Sequence, residues 1–356
     1  MFNGTGNFNS WKRITDLLST AMKTQGIKIV IILITLLAQV NLFPQDVQFS
    51  QYYSAKFNIA PSFAGATAGG CLTIISRDQW PLLNSTFFTY GFAVDHSISS
   101  LNSGIGAFVM QDYSNGGGFI ITNGGIQYSY MLELNHSWQF RPGLQINTIN
   151  KRIDLNKIVF GSELSFDETR NDYPVTIESD NITDIESAVS ALVYSDISWF
   201  GASIDHLPLT RKTFSGESSS VPVKFVTFGG VLLKTVQGRL MNDKDDIYLS
   251  YLFKYQDNVK QLDLGAYWAK NSFEVGLWYR GLPFFKNSYG EFNNSALIFK
   301  AGMVFDYFSI GYSFDYSLNK INPYTGGAHE ISMIFLFNQE QKLKKKKHKM
   351  VPSPKF

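Results

Sequence analysis

The chain has 356 residues, 17% charged and 15% aromatic, with 30 Phe, 18 Tyr and 6 Trp; that excludes a disordered chain, and one apolar stretch near spanning length excludes a polytopic helical membrane protein. A single cysteine, Cys71, excludes a disulfide framework and a thiolate zinc cluster, and its apolar surroundings read as packing. The net charge of +2 hides basic ends around residues 46–337, which carry 20 basic and 27 acidic residues, so the body lacks the basic surplus that nucleic-acid binding requires.

In chain order, Lys23–Lys28 forms a short basic region, followed by the apolar run Ile29–Ala38, which continues less purely to Phe43. That is the length of a secretory signal core, too short for a comfortable membrane-spanning helix. Met22 stands where a start is expected, so the first 21 residues read as an over-long beginning. No clean small-x-small cleavage pattern precedes Asp46, which leaves an uncleaved anchor as the alternative, and no cysteine follows the core, which argues against a lipoprotein. The expected organisation is 1–45 as leader, 46–70 as a periplasmic segment, 71–337 as a transmembrane β-barrel and 338–356 as a basic periplasmic tail.

The remainder reads as all-β. In Tyr307–Tyr316, Phe308, Ile310, Tyr312, Phe314 and Tyr316 alternate with Ser309, Gly311, Ser313 and Asp315. Period 2 puts the apolar set on one face. Leu262, Leu264, Ala266 and Trp268 alternate against Asp263, Gly265 and Tyr267; Phe273, Val275, Leu277 and Tyr279 do so against Glu274, Gly276 and Arg280. About fourteen such segments are predicted, near 71–78, 86–96, 103–112, 118–131, 136–150, 187–195, 197–206, 221–235, 246–256, 260–269, 272–281, 294–305, 307–316 and 327–337. Most have the length that crosses a bilayer as a tilted strand, and the number is even, as in bacterial outer-membrane barrels. The connections alternate, with long ones such as 151–186 and 207–220 on one side and tight ones such as Ser195-Asp196 on the other. This asymmetry is that of an outer-membrane antiparallel β-barrel.

Five short motifs punctuate this pattern: Gln48-Phe49-Ser50-Gln51-Tyr52-Tyr53; Asn58-Ile-Ala-Pro61-Ser-Phe63-Ala64-Gly65; Arg77-Asp-Gln79-Trp80; Gly201-Ala-Ser203-Ile-Asp-His206-Leu207; and Gly327-Ala-His329-Glu330-Ile331-Ser332. In this order they resemble the PorP/SprF family of type IX secretion and gliding-motility membrane proteins of Bacteroidetes-type bacteria. The resemblance spans about 46–337. Asn58 and Pro61 are spread where the family has them adjacent, Gly-Ala-His-Glu replaces Gly-Ser-His-Glu, and Asp78 stands where the family often has lysine. Membership implies a non-enzymatic role in exporting or anchoring a large surface adhesin that carries a type IX C-terminal domain. Expected partners are that adhesin, periplasmic secretion-ring subunits and outer-membrane lipid. A passive channel for small or hydrophobic solutes is the alternative, and an outer-membrane lipase a third class.

Gln48–Tyr52 suits either a plug or rim seal, or an interfacial aromatic girdle. Pro61 and Gly65 suit a tight entry turn into the first strand. Arg77 is read as a lumen residue paired with a barrel acid, because facing lipid at midplane it would cost about 2–4 kcal/mol; Gln79 sits beside it, and Trp80 is a candidate partner contact. His206, His329 and Glu330 are the remaining candidates. His329 and Glu330 are adjacent on a strand and point to opposite faces, so they cannot act on one substrate. Neither a G-x-S-x-G elbow nor an H-E-x-x-H pattern occurs. No catalytic residue, metal site or cofactor is expected. The acid-rich stretch from Asp154 to Asp184 lacks a calcium-loop register and reads as a solvated outer loop. The lysine run Lys342–Lys349 reads as a solvated tail or a dock for an acidic partner.

Overall fold

The computed structural model describes residues 47–83, 87–114, 118–154, 181–208, 221–234, 245–257, 259–286, 292–318, 322–338 and 351–354. Fourteen long strands run in chain order: β1 (Gly70–Gln79), β2 (Phe87–Ile98), β3 (Ser103–Ser114), β4 (Phe119–Tyr130), β5 (Gln139–Ile153), β6 (Asn181–Tyr194) and β7 (Ser198–Pro208), then β8 (Lys224–Lys234), β9 (Asp245–Gln256), β10 (Val259–Lys270), β11 (Phe273–Lys286), β12 (Phe292–Val304), β13 (Phe308–Ser317) and β14 (Ala328–Phe337). Each pairs antiparallel with its sequence neighbours. β1 also pairs with β14, from Gly70 opposite Phe337 to Gln79 opposite Ala328, and this closes the ring. A two-residue bridge, Leu132–Glu133, extends the β4–β5 hairpin. The result is a closed antiparallel 14-strand β-barrel, and closure removes every sheet edge.

The period-2 pattern explains which face is which. On β13, Ser309, Ser313 and Asp315 are buried while Phe308, Tyr312 and Tyr316 are exposed. On β12, Ala296, Ile298 and Lys300 are buried and Phe299 and Met303 are exposed. Large apolar side chains therefore face outward around the ring, as a bilayer-embedded wall requires. No helix among the described residues is long and apolar enough to cross a membrane. Among the described residues the helical pieces are 3₁₀ turns at Lys56–Asn58, Pro61–Phe63 and Ser99–Leu101, and one four-residue α-helix, Asn322–Thr325.

One end of the barrel carries the connections 80–86, 154–180, 209–223 and 318–327, and the other has the tight turns 195–197, 271–272 and 305–307. Both chain termini of the barrel lie at the short-turn end. The expected asymmetry holds, with 235–244 a long connection among the short ones and 257–258 a short one among the long. The strand bounds differ most from expectation at β6, which begins at Asn181 rather than 187. Asp184 and Glu186 belong to its buried face, opposite exposed Thr183 and Ile185. Charge made this stretch read as loop, but a barrel interior accepts charge when it is paired. Lys151 lies 3.9 Å from Asp184, and His206 Nδ1 lies 2.6 Å from Glu186.

Two stretches near the chain ends, 47–66 and 351–354, lie in the barrel interior, the first as the plug that is one of the readings for Gln48–Tyr52. Residues 47–66 run through the lumen, where Phe49, Ser50, Gln51, Tyr52, Tyr53 and Phe63 are buried. At the other terminus, Val351 joins an apolar cluster with inward-facing Leu192, Trp199, Phe228, Leu252 and Trp278. The expected leader within 1–45, most of the long outer loops and the lysine run 342–349 lie outside the described residues.

A charge placed on the outward wall tests the assignment of faces. Phe299→Arg is expected to lower the unfolding free energy by about 2–4 kcal/mol, measured by urea titration of the protein folded in lipid vesicles.

Candidate functional site

The lumen segment is a plug, and a set of buried ions holds it. Ser50 and Gln51 donate their backbone N–H groups to the two oxygens of Glu330, at 2.8 and 2.7 Å. The Gln51 side chain donates to the Glu330 carbonyl at 3.0 Å and accepts from Ser332 at 2.5 Å, and the Ser54 and Ser332 hydroxyls lie 3.0 Å apart. The plug thus binds two alternate inward side chains of β14, Glu330 and Ser332.

Arg77 on β1 ties this contact to its neighbours. It reaches Glu330 at 3.1 Å, Asp315 at 2.9 Å, the Ser50 hydroxyl at 2.9 Å and the Gln79 side chain at 3.3 Å. Arg280 on β11 approaches from the far side, with Asp263 at 3.3 Å, Asp315 at 3.1 Å, the Ser50 hydroxyl at 3.0 Å and the Tyr52 hydroxyl at 2.8 Å. The Ser50 hydroxyl donates to Asp315 at 2.6 Å. Lys300 on β12 donates to the Tyr267 hydroxyl at 2.8 Å, and its ammonium lies 4.5 Å from the Trp278 ring and 4.8 Å from the Tyr52 ring. Arg77 and Arg280 thereby pair with three buried acids, Asp263, Asp315 and Glu330, while buried Lys300 is held by the Tyr267 hydroxyl and the two rings. Such charges persist away from water only when paired and hydrogen-bonded.

Aromatic packing fixes the plug on both sides of this network. Phe49 packs in one cluster with Phe57, Ile75, Ala93, Phe108 and Met110. Tyr52 stands edge-on to Trp278 at 5.1 Å, and Tyr53 stands edge-on to Trp199, whose indole N–H donates to the Tyr53 hydroxyl at 3.2 Å. Burial pushes the Tyr53 phenol above its ordinary pKa, so it stays neutral. Asn58 donates to the Val47 carbonyl at 3.4 Å, folding the segment on itself.

Towards the short-turn end the chain turns at Pro61–Phe63 and leaves through Gly65. Arg141 and Ser129 both donate to the Ala64 carbonyl, at 2.7 Å each, and Gln127 donates to the Phe57 carbonyl at 2.8 Å. Gly65 has φ of 61°, and its N–H donates to Asp95 at 2.9 Å. A Cβ on Gly104, on the facing wall, would lie 2.0 Å from the Ala64 oxygen. Glycine is required at both places, one for backbone sign and one for close approach.

Of the sequence candidates, Phe49, Ser50, Gln51, Tyr52, Asn58, Pro61, Gly65, Arg77, Gln79 and Glu330 all belong to the plug and its latch. Gln48 is half-buried, and its side-chain nitrogen has no hydrogen-bond partner among the described residues. Trp80 is at the long-loop end, where its backbone N–H donates to the Gly327 carbonyl at 2.8 Å and its ring stands edge-on to Phe87. His206 pairs with Glu186, as described above. His329 faces outward beside the Tyr312 hydroxyl at 2.8 Å, opposite in direction to Glu330. Sequence reasoning missed Asp263, Arg280, Lys300 and Asp315 as members of the site. Their signal was available: each is a charge in the inward phase of its strand. No group of three or more His, Cys, Asp or Glu among the described residues could hold a metal ion.

A family model described as type IX secretion system membrane protein PorP/SprF matches residues 41–335. No curated protein matches the chain. Solved structures similar to it include a KdgM porin, at 6% identity over 75% of this chain and 99% of that chain, with a TM-score of 0.36. Others are the CymD monoaromatic hydrocarbon channel, at 10% identity over 80% and 93% with a TM-score of 0.43, and the β domain of the Bordetella autotransporter BrkA, at 9% identity over 76% and 99% with a TM-score of 0.38.

The latch predicts strong coupling across the plug. Arg77→Ala leaves Glu330 and Asp315 short of a cation and is expected to destabilise by about 3–5 kcal/mol. Adding Glu330→Gln to it costs less than the sum of the two single changes, by about 1–3 kcal/mol. Unfolding titrations of the four proteins of this cycle measure both quantities.

Proposed function

Because the chain belongs to the PorP/SprF family of type IX secretion system membrane proteins, we propose that it is a non-enzymatic, plugged outer-membrane scaffold of the type IX secretion and gliding apparatus. It assists export or surface anchoring of a large adhesin. The observation that carries this reading is the filled lumen: a plug tied to nine strands by buried ions and hydrogen bonds suits a barrel that holds partners at its rims. A passive solute channel needs the latch of Arg77, Arg280, Asp315 and Glu330 to open first, so it is the weaker reading.

In the scaffold reading the apolar outer wall fixes the protein in the outer membrane. The long-loop end faces outward and engages the C-terminal domain of the secreted adhesin, since long connections on a rigid scaffold carry recognition. The knob where Trp80 and Leu82 hydrogen-bond to the 325–327 segment presents exposed Leu82 and Tyr324 at that end. The short-turn end faces the periplasm and meets secretion-ring subunits.

The test is an affinity capture of the tagged protein from detergent-solubilised outer membranes, read by mass spectrometry beside the surface proteome of a deletion strain. The expected result is recovery of ring subunits or a large adhesin, with that adhesin missing from the deletion strain's surface. Capture of the barrel alone, with an unchanged surface proteome, would overturn the reading in favour of the channel.

A further inference from the structure

We propose that the barrel interior contains a second, peptide-binding subsite, and that the chain's own C-terminal tip, Val351-Pro-Ser-Pro354, is its resident ligand. The inference is independent of the secretory role proposed above.

The N-terminal plug contacts the β13–β14–β1 seam through its latch and the β2–β5 wall through Phe57 and Ala64, and its Tyr52, Tyr53 and Phe63 rings cover part of the opposite wall at Trp278, Trp199 and Phe228. The opposite wall is different in character. From β6 to β12 the inward residues include, beside the charged Asp263, Arg280 and Lys300, an apolar and aromatic cluster of Tyr194, Trp199, Phe228, Leu252, Tyr267 and Trp278. Tyr194 and Trp199 flank a tight turn of the short-turn end, so this surface begins at the mouth on that side. Val351 belongs to the same cluster and is 8% exposed, and Ser353 and Pro354 are buried as well.

The tip suits that wall. Proline fixes φ and removes a donor, so Val-Pro-Ser-Pro is already extended and brings few backbone N–H groups that need partners. Extended proline-containing segments dock on aromatic-lined grooves for this reason, with little ordering entropy to lose. The path is available too. β14 ends at the short-turn end, and the ~13 residues from Asn338 to Val351 reach up to about 45 Å when extended, longer than an apolar barrel wall of about 25 Å. The ligand class is therefore a short extended apolar segment with alternate prolines, entering from the short-turn end, and the chain supplies one in cis.

Two measurements test this. In a full-length Cys71→Ser/Val351→Cys protein folded in vesicles, the thiol is expected to react with a bulky maleimide at least tenfold more slowly than in the urea-unfolded protein. Equal rates would overturn the proposal. A barrel ending at residue 338, shown to be folded by its heat-modifiable gel mobility, is expected to bind a fluorescent peptide of residues 345–356 saturably by anisotropy. The same peptide carrying Val351→Asp and alanine at both prolines is expected to bind at least tenfold more weakly. Absent or non-saturable binding by the folded barrel, or equal binding of the altered peptide, overturns the subsite. If the shortened barrel does not fold, the thiol measurement decides alone.

Discussion

The Glu330 carboxylate accepts two consecutive backbone N–H groups, from Ser50 and Gln51, in a space closed to water. An anion so placed needs a counter-charge, and Arg77 supplies it from the opposite side of the seam. Arg77 in turn needs more acceptor capacity than one carboxylate offers, and Asp315 and the Ser50 hydroxyl complete it. Asp315 then draws in Arg280, and Arg280 draws in Asp263 and the Tyr52 hydroxyl. Each buried charge is tolerable only because the next is there. The plug's position follows from this chain of requirements.

Arg77 and Glu330 are also direct cross-strand partners in the pairing of β1 with β14. That pairing joins the first and last strands and closes the ring. Ring closure and plug capture therefore share one ion pair. The plug immediately precedes β1 in the chain, so its entry into the lumen needs little extra loop closure. The glycine contact between residues 65 and 104 marks where the chain passes from interior to wall.

Much of the architecture was legible from alternation alone. Strand number and most bounds follow from period 2, because apolar wall and polar lumen impose opposite chemistry on successive residues. The opposed directions of His329 and Glu330 follow from the same rule. The start of β6 was hidden because Asp184 and Glu186 look like loop residues until their partners, Lys151 and His206, are known. The depth of the Gln48–Tyr53 segment was hidden for a deeper reason. Tyrosine and glutamine serve a girdle and a plug equally well, and Ser50 meets Glu330 across 280 positions of sequence, a distance no local pattern encodes. Arg77 could be assigned inward by its cost in lipid, but Arg280, Asp263 and Asp315 read only as polar members of their strands.

A core of buried ions is a poor choice if the aim is stability alone, since well-packed apolar side chains of similar volume often hold as well or better. Its distinctive property is selectivity. An apolar filling accepts many segments and registers, whereas Glu330 binds only a backbone that offers two adjacent N–H groups while a hydroxyl at the first of them reaches Asp315 and Arg280. A slip of one residue would put Gln51 where Ser50 stands and leave the Arg280–Asp315 pair without that hydroxyl. The two halves of the lumen thus differ in kind. The seam side recognises one segment by charge and backbone geometry, and the aromatic side holds what meets it by shape and apolarity. Such discrimination gives the barrel one defined interior.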